Sequence, residues 1–240
     1  MLTTIKHTIS IFTGVFYQPS TLFKELREKP SWIAAFTIIV ILTVISGTLF
    51  SPFKQHVILQ SLTEQMDEAR VKEMFVHADT FSIIVMLFTP VPIIIKLSMI
   101  GGILLCGDVL LTKKKEHFSL YLMVAVFSEF ILLFKDFVNL LILWIKGIQN
   151  IHSIMDLYSI VGLDYFLSDK SRQMLLYTVL SNFNPFTFWH IFVLATGFAI
   201  VSQIKTWRAL IVASSIWVLG ITFQLMITSL SADIMRMSGK

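Results

Sequence analysis

The stretch "NPFTFWHIFVLATGFAIVSQIKTWRALIVASSIWVLGITFQLMITSL", residues 184–230, decides the fold. It divides around Lys205 and Arg208 into two apolar runs, about Pro185 to Ile204 and about Trp207 to Leu230, joined by a very short turn. A helix rises about 1.5 Å per residue and a bilayer's hydrocarbon core is about 30 Å thick, so roughly 20 mostly apolar residues cross it. Both runs reach that length, and two of them back to back read as a pair of antiparallel membrane spans. Proline is favoured in the first helical turn, so Pro185 opens the first run. Asn184 can cap it, and Phe186 and Trp189 are expected at the headgroups.

The same pattern extends upstream. A third span covers about Phe118 to Ile145, entered from the tight basic turn Lys113, Lys114 and Lys115. A second covers about Phe81 to Leu111, where Pro90 and Pro92 are expected to kink it. The first runs from about Trp32 to Phe50 and is ended by Ser51-Pro52. Two polar excursions separate the spans. Residues 53–80 repeat Ile58, Leu62, Met66 and Ala69 every three or four positions, which reads as an amphipathic helix outside the bilayer. Residues 146–184 are expected to form short helices near 151–161 and 169–181. The fold class is therefore all-α: a polytopic membrane protein with one five-span domain, 32–230. It is preceded by an amphipathic lead, 1–31, and followed by a short tail, 231–240.

Composition agrees. The chain is 55% hydrophobic and only 14% charged, where soluble domains carry about 25% charge, and its mean hydropathy is +0.78. No basic run with interleaved aromatics suggests nucleic acid. The single cysteine, Cys106, excludes an intramolecular disulfide. In the lead, Leu2, Ile5, Ile9, Phe12 and Phe16 recur at helical spacing, which would lay one greasy face on the membrane surface. Gln18 and Pro19 break that helix, and Ser20 is expected to cap a second one, Thr21 to Lys29, that ends before Pro30. With no A-x-A-like cleavage site, the start is read as retained.

Lys and Arg set the orientation. With the N-terminus inside, the inner segments hold nine (Lys6, Lys24, Arg27, Lys29, Lys113, Lys114, Lys115, Lys205, Arg208) and the outer ones eight. Density separates them better than number: both tight turns are basic, while the excursions carry most of the Asp and Glu. The expectation is N-terminus in and C-terminus out, in a bacterial cytoplasmic (inner) membrane.

Two segments, "YQPSTLFKELREKPSWIAAF" (17–36) and "NPFTFWHIFVLATGFAIVSQIKTWRALIVASSIWVL" (184–219), resemble the Yip domain family of five-span membrane proteins, the Ypt/Rab-interacting group, and especially its prokaryotic branch. The resemblance implies five helices, a cytoplasmic N-terminus and an outward C-terminus. For eukaryotic members it also implies work in membrane traffic through Rab-type GTPases. Those members have a long soluble N-terminal region and an Asp-Leu-Tyr/Gly-Pro type motif before the first span. Here the lead is short and the corresponding place reads Tyr17-Gln18-Pro19-Ser20, so the Rab link is not carried over.

No GxSxG, P-loop, HExxH or CxxC is present, and the six histidines are scattered over different segments. No catalytic residue, cofactor or metal is expected. A lone histidine at a membrane boundary such as His190 reads as interfacial. The informative residues are charges within apolar helices: Lys96 and Asp108 in the second span, Glu129, Lys135 and Asp136 in the third. An ionisable group at the bilayer centre costs about 2.5–3.5 kcal/mol on insertion scales, so it faces protein or water. Ser128, Glu129, Lys135, Asp136 and Asn139 make a polar strip along the third helix. Three readings stay open for it. It is a packing strip with Glu129 neutral or paired to Lys96 or Lys135, a proton or ion relay lining a cavity, or a set of boundary residues that snorkel.

Ser98, Gly102 and Cys106, four apart, with Gly101 beside them, form a small-residue stripe that permits close helix packing or self-association. The function expected is that of a non-enzymatic membrane protein acting in membrane organisation or trafficking-like interactions. Its partners are membrane lipids and proteins at the cytoplasmic face. The alternatives are a small-solute or ion carrier using the strip and, more remotely, a membrane-embedded hydrolase using Glu129 and Asp136.

Overall fold

The computed structural model describes residues 13–28, 30–63, 87–113, 116–158, 161–167 and 173–238, with side chains as far as Leu230. These residues form helices and connecting loops without a strand. In chain order the helices are α1 (Pro19–Glu28), α2 (Ile33–Thr63), α3 (Pro90–Thr112), α4 (Phe118–Lys146), α5 (Ile154–Tyr158), α6 (Met174–Ser181), α7 (Pro185–Ser202) and α8 (Thr206–Ser238). Short 3-10 turns lie at Ile148–Asn150 and Leu163–Phe166. Five helices are long and apolar enough to cross a membrane: Ile33–Leu62, Pro90–Thr112, Phe118–Lys146, Pro185–Ser202 and Thr206–Leu230. Their connections define two ends of the bundle. The tight turns lie at one, the turn end, and the α4–α7 connection at the other, the excursion end.

α4 is the axis of the bundle. Every residue from Leu120 to Ser128 is buried, because α3, α7 and α2 pack around it. About 67% of its apolar window is enclosed, against 6% for α8. α8 touches the bundle most closely through small or branched residues, Ala209, Ala213 and Ile216, with Val212 and Trp217 partly buried beside them, and turns most of its surface outward.

The described part of the lead packs against α7. A helical stretch over 13–17 and then α1 run along α7. Phe16 meets Phe134 and Trp189 edge-on at 5.4 and 5.7 Å, and Phe23, fully buried, lies against Gly197. Arg27 reaches Gln203 at the end of α7. From Trp189 to Gln203 that helix advances about 21 Å at 1.5 Å per residue, so the lead penetrates well into the bundle. Its helix starts from Pro19, with the Gln18 carbonyl accepting from the Thr21 and Leu22 amides at 3.1 and 3.2 Å. The expected cap, Ser20, is exposed instead. Leu2, Ile5, Ile9 and Phe12 lie outside the described residues.

One proline behaves otherwise than expected. The first span does not stop at Ser51-Pro52, since α2 runs through Pro52 to Thr63. An interior proline forfeits a helix hydrogen bond. That loss is offset by a second core, in which Phe50, Phe53 and Val57 pack on Leu140, Leu143, Ile151 and Leu157. Pro90 and Pro92 stand in the first turn of α3, where a missing amide costs nothing, and the helical residues Leu87 and Phe88 precede them across a turn at Thr89. Residues 81–86, and Met66 and Ala69 of the first excursion, lie outside the described residues. At the other end of α3, Lys113 closes the helix in the left-handed region (φ 58°), its amide bonded to the Val109 carbonyl at 3.1 Å. Of the short helices expected near 151–161 and 169–181, α5 and α6 lie within those ranges, with the second 3-10 turn between them. The tail continues α8 as helix to Ser238.

Candidate functional site

α3 and α4 run antiparallel, and their charges meet. Lys96 Nζ lies 2.6 Å from Glu129 Oε1, the glutamate largely enclosed and the lysine half exposed on the flank. The second carboxylate oxygen of Glu129 is buried without a hydrogen-bond partner. Two turns further along α4, Lys135 and Asp136 form a looser pair at 3.8 Å, and Asp136 lies within electrostatic reach of Glu129 and Lys96. The sequence placed all four on the strip without fixing the partners. Helix packing selects the α3–α4 pair.

His190 joins them. It stands on α7, within electrostatic reach of Glu129, Lys96 and Lys135, and its Nε2 is buried with no hydrogen-bond partner. The interfacial reading of His190 is therefore replaced by a place beside the cluster. Nothing in its local sequence distinguishes it. Only the α4–α7 pairing does so, through Val124 beside Gly197 and Phe134 beside Phe186. Phe186 and Trp189, expected at the headgroups, stack on one another with centroids 6.5 Å apart and pack against Phe134.

Asp108 belongs to a separate knot near the turn end. It is buried at 1% exposure and accepts from the hydroxyl of Tyr121, itself fully buried, and from Thr112 Oγ1 at 3.0 Å. A buried carboxylate so bonded fastens α3 to the start of α4. Beside it the Arg27 guanidinium approaches Glu116 at 3.8 Å. With its amide oxygen facing that guanidinium, Gln203 accepts from Nη1 at 2.8 Å and Nη2 at 3.1 Å. One arginine thus ties the lead to both turns.

Asn139 does a similar task at the excursion end. Its Nδ2 donates to the Leu157 carbonyl at 2.6 Å, anchoring α5 on α4. Asn139→Leu is expected to leave that carbonyl unsatisfied and cost about 1–3 kcal/mol. Amide hydrogen exchange should speed up over residues 151–158 first. Uniform exchange across the chain would show that Asn139 does not anchor this segment. In the same excursion Asp164 is fully buried, and neither of its carboxylate oxygens has a hydrogen-bond partner.

Among the small residues, the close approach falls at Gly101, where a Cβ would stand 3.2 Å from the Leu122 amide nitrogen. Gly102 has nothing within 4 Å, and Cys106 is exposed. Ser98 is half-buried. The Ser98–Gly102–Cys106 stripe therefore looks outward, one helical position round from the seam. Gly107 supplies a second close contact, 3.1 Å to Val212 on α8.

Asn184 accepts from the Thr187 amide at 2.9 Å and donates to the Ser181 carbonyl at 3.0 Å, so it caps α7 and closes α6. Among the described residues no three His, Cys, Asp or Glu side chains gather closely enough to hold a metal ion.

No curated protein and no solved structure matches the chain. The Yip1 domain family model matches residues 13–227. That range starts at the buried lead, takes in all five apolar helices and ends near the end of the last. The chain belongs to the Yip1 domain family.

Proposed function

We propose that the protein is a non-enzymatic membrane scaffold, acting in membrane organisation or trafficking-like interactions through lateral contacts with lipids and other membrane proteins. One observation carries the reading. Polar side chains fasten elements of the bundle to each other at four places, while most of the apolar surface of α8 is turned outward, with only 6% of its apolar window enclosed. Asp108 holds α3 to α4, Asn139 holds α5, Lys96 holds Glu129, and Arg27 holds the lead. A helix kept almost bare on a bundle otherwise tied together suits lateral association. The basic turns support a cytoplasmic turn end, and the resemblance to the family's prokaryotic branch supports a bacterial inner membrane.

Photo-crosslinking residues at Leu219 and Phe223, both exposed on α8, are expected to give discrete protein adducts in native membranes. The same probe at buried Ala213 should give none. Lipid adducts alone at all three positions would remove the protein-partner half of the proposal.

A second reading, a proton-coupled small-solute carrier, is favoured by the pair of buried atoms left unsatisfied, Glu129 Oε2 and His190 Nε2. Such atoms are uncommon in folded interiors and attract protons or polar ligands. Reconstituted vesicles distinguish the two readings. Solute-dependent proton uptake that Glu129→Gln abolishes would establish the carrier and displace the scaffold.

A further inference from the structure

The α4–α7 excursion reads in sequence as a polar loop outside the bilayer, and its surface is otherwise. α6, MLLYTVLS, carries no charge and has no fully buried side chain. Leu175 and Leu176 are exposed, as are Ile154, Leu163, Tyr165 and Phe166 nearby. An amphipathic helix in water presents its polar face outward. α6 shows leucines there and turns its polar groups inward. Thr178 Oγ1 bonds the Met174 carbonyl at 3.0 Å, and Ser181 Oγ bonds the Thr178 carbonyl at 3.1 Å. Asn182 Nδ2 reaches the Thr178 carbonyl and Gln224 Oε1, each at 2.8 Å.

The neighbour fixes the level. α6 lies beside α8, joined at Asn182–Gln224 and by the Thr178 and Thr228 hydroxyls 3.4 Å apart. Both partner positions fall inside the apolar run Thr206–Leu230, the last membrane span. On that part of α8, Phe223, Met226, Ile227 and Leu230 are exposed, and on a spanning helix exposed apolar residues face hydrocarbon. Leu175, Leu176 and Val179 of α6 line one wall of an open groove, and Leu225 and Met226 of α8 line the other. The groove thus continues a surface already in lipid. Backbone at membrane depth must be satisfied by the protein itself, and the Thr, Ser and Asn bonds that close α6 do so.

We propose that the excursion is seated within the leaflet at its own end of the bundle, and that acyl chains of that leaflet's phospholipids fill the groove between α6 and α8. This inference rests on the last span and not on the scaffold reading, so it stands or falls separately.

The test is electron paramagnetic resonance on the full chain in nanodiscs of phosphatidylethanolamine and phosphatidylglycerol. Nitroxides are placed singly at positions 175 and 176 in a Cys106→Ala background. Position 223 serves as the lipid reference and the exposed Lys205, in the turn between α7 and α8, as the water-exposed one. Molecular oxygen partitions into hydrocarbon and a hydrophilic nickel chelate does not. The ratio of their collision rates at 175 and 176 is expected to match 223 and exceed a water-exposed nitroxide by about tenfold or more. A ratio equal to that of a water-exposed nitroxide would place α6 in water and overturn the proposal. Low collision rates with both reagents would show protein, from this chain or a partner, covering the groove in place of lipid, and would overturn it equally.

Discussion

Gly197→Ala unseats the lead. A Cβ at this position would stand 2.8 Å from Val124 Cγ1 and 2.9 Å from two ring carbons of Phe23. Neither neighbour has free space: Val124 and Phe23 are both fully buried. Inserting a methyl group into a filled core costs about 1–3 kcal/mol, and the lead should take most of the strain because it is held from one side. Phe23→Ala, which empties the same site, should cost about 3–5 kcal/mol. Equilibrium unfolding in mixed micelles would measure both losses, and hydrogen exchange over residues 19–28 should lose protection ahead of the spans. Combining Gly197→Ala with Phe23→Leu should recover part of the loss, a non-additivity of about 0.5–3 kcal/mol for residues in contact. A harmless Gly197→Ala with full protection of 19–28 would mean that Phe23 is not seated there.

The second large effect concerns the intramembrane ion pair. Lys96→Met leaves Glu129 enclosed and without its cation, and breaking an enclosed pair from one side costs about 3–5 kcal/mol. Glu129→Leu should cost less. The side chain left behind is then Lys96, 49% exposed against 14% for the glutamate, and its long stem can carry the ammonium elsewhere. The double replacement, Lys96→Met with Glu129→Leu, should return to the stability of the native chain or above it, as apolar substitution of whole enclosed pairs often does. A double variant no more stable than Lys96→Met alone would show that something besides the pair is lost.

The five spans were legible because their signal is one of length and composition, which survives any detail of packing. Asn184 and Pro185 were equally legible, since a cap acts within one turn of chain. What the lead packs against was not legible, because helical periodicity announces a greasy face without saying what it meets. Leu22, Phe23 and Leu26 would look the same on a headgroup layer as they do inside the bundle. Pro52 was misread because its tolerance depends on Leu140, Leu143, Ile151 and Leu157, all far along the chain.

The site shows the same division. Charges inside apolar runs are conspicuous, so Lys96, Asp108, Glu129, Lys135, Asp136 and Asn139 all stood out. Their partners did not. Lys96 meets Glu129 across 33 residues, and Asp108 finds a tyrosine across a turn. Tyr121 and His190 had nothing local to mark them, since each acquires its place only when α4 packs against α3 and α7. The small-residue stripe erred by one helical position, because Gly101 and Gly102 are equivalent until a neighbour selects one.

The central claim is that the intramembrane charges fasten a dry bundle. A single cysteine at position 129, in a Lys96→Met and Cys106→Ala background so that no ammonium is stranded, tests it most directly with a membrane-impermeant thiol reagent applied from each side in turn. A second cysteine variant, at exposed Lys205 in the turn between α7 and α8, provides the reactive control. Labelling is expected at 205 from one side and at 129 from neither. Labelling at 129 would show that water reaches the cluster, and would contradict the scaffold in favour of a carrier.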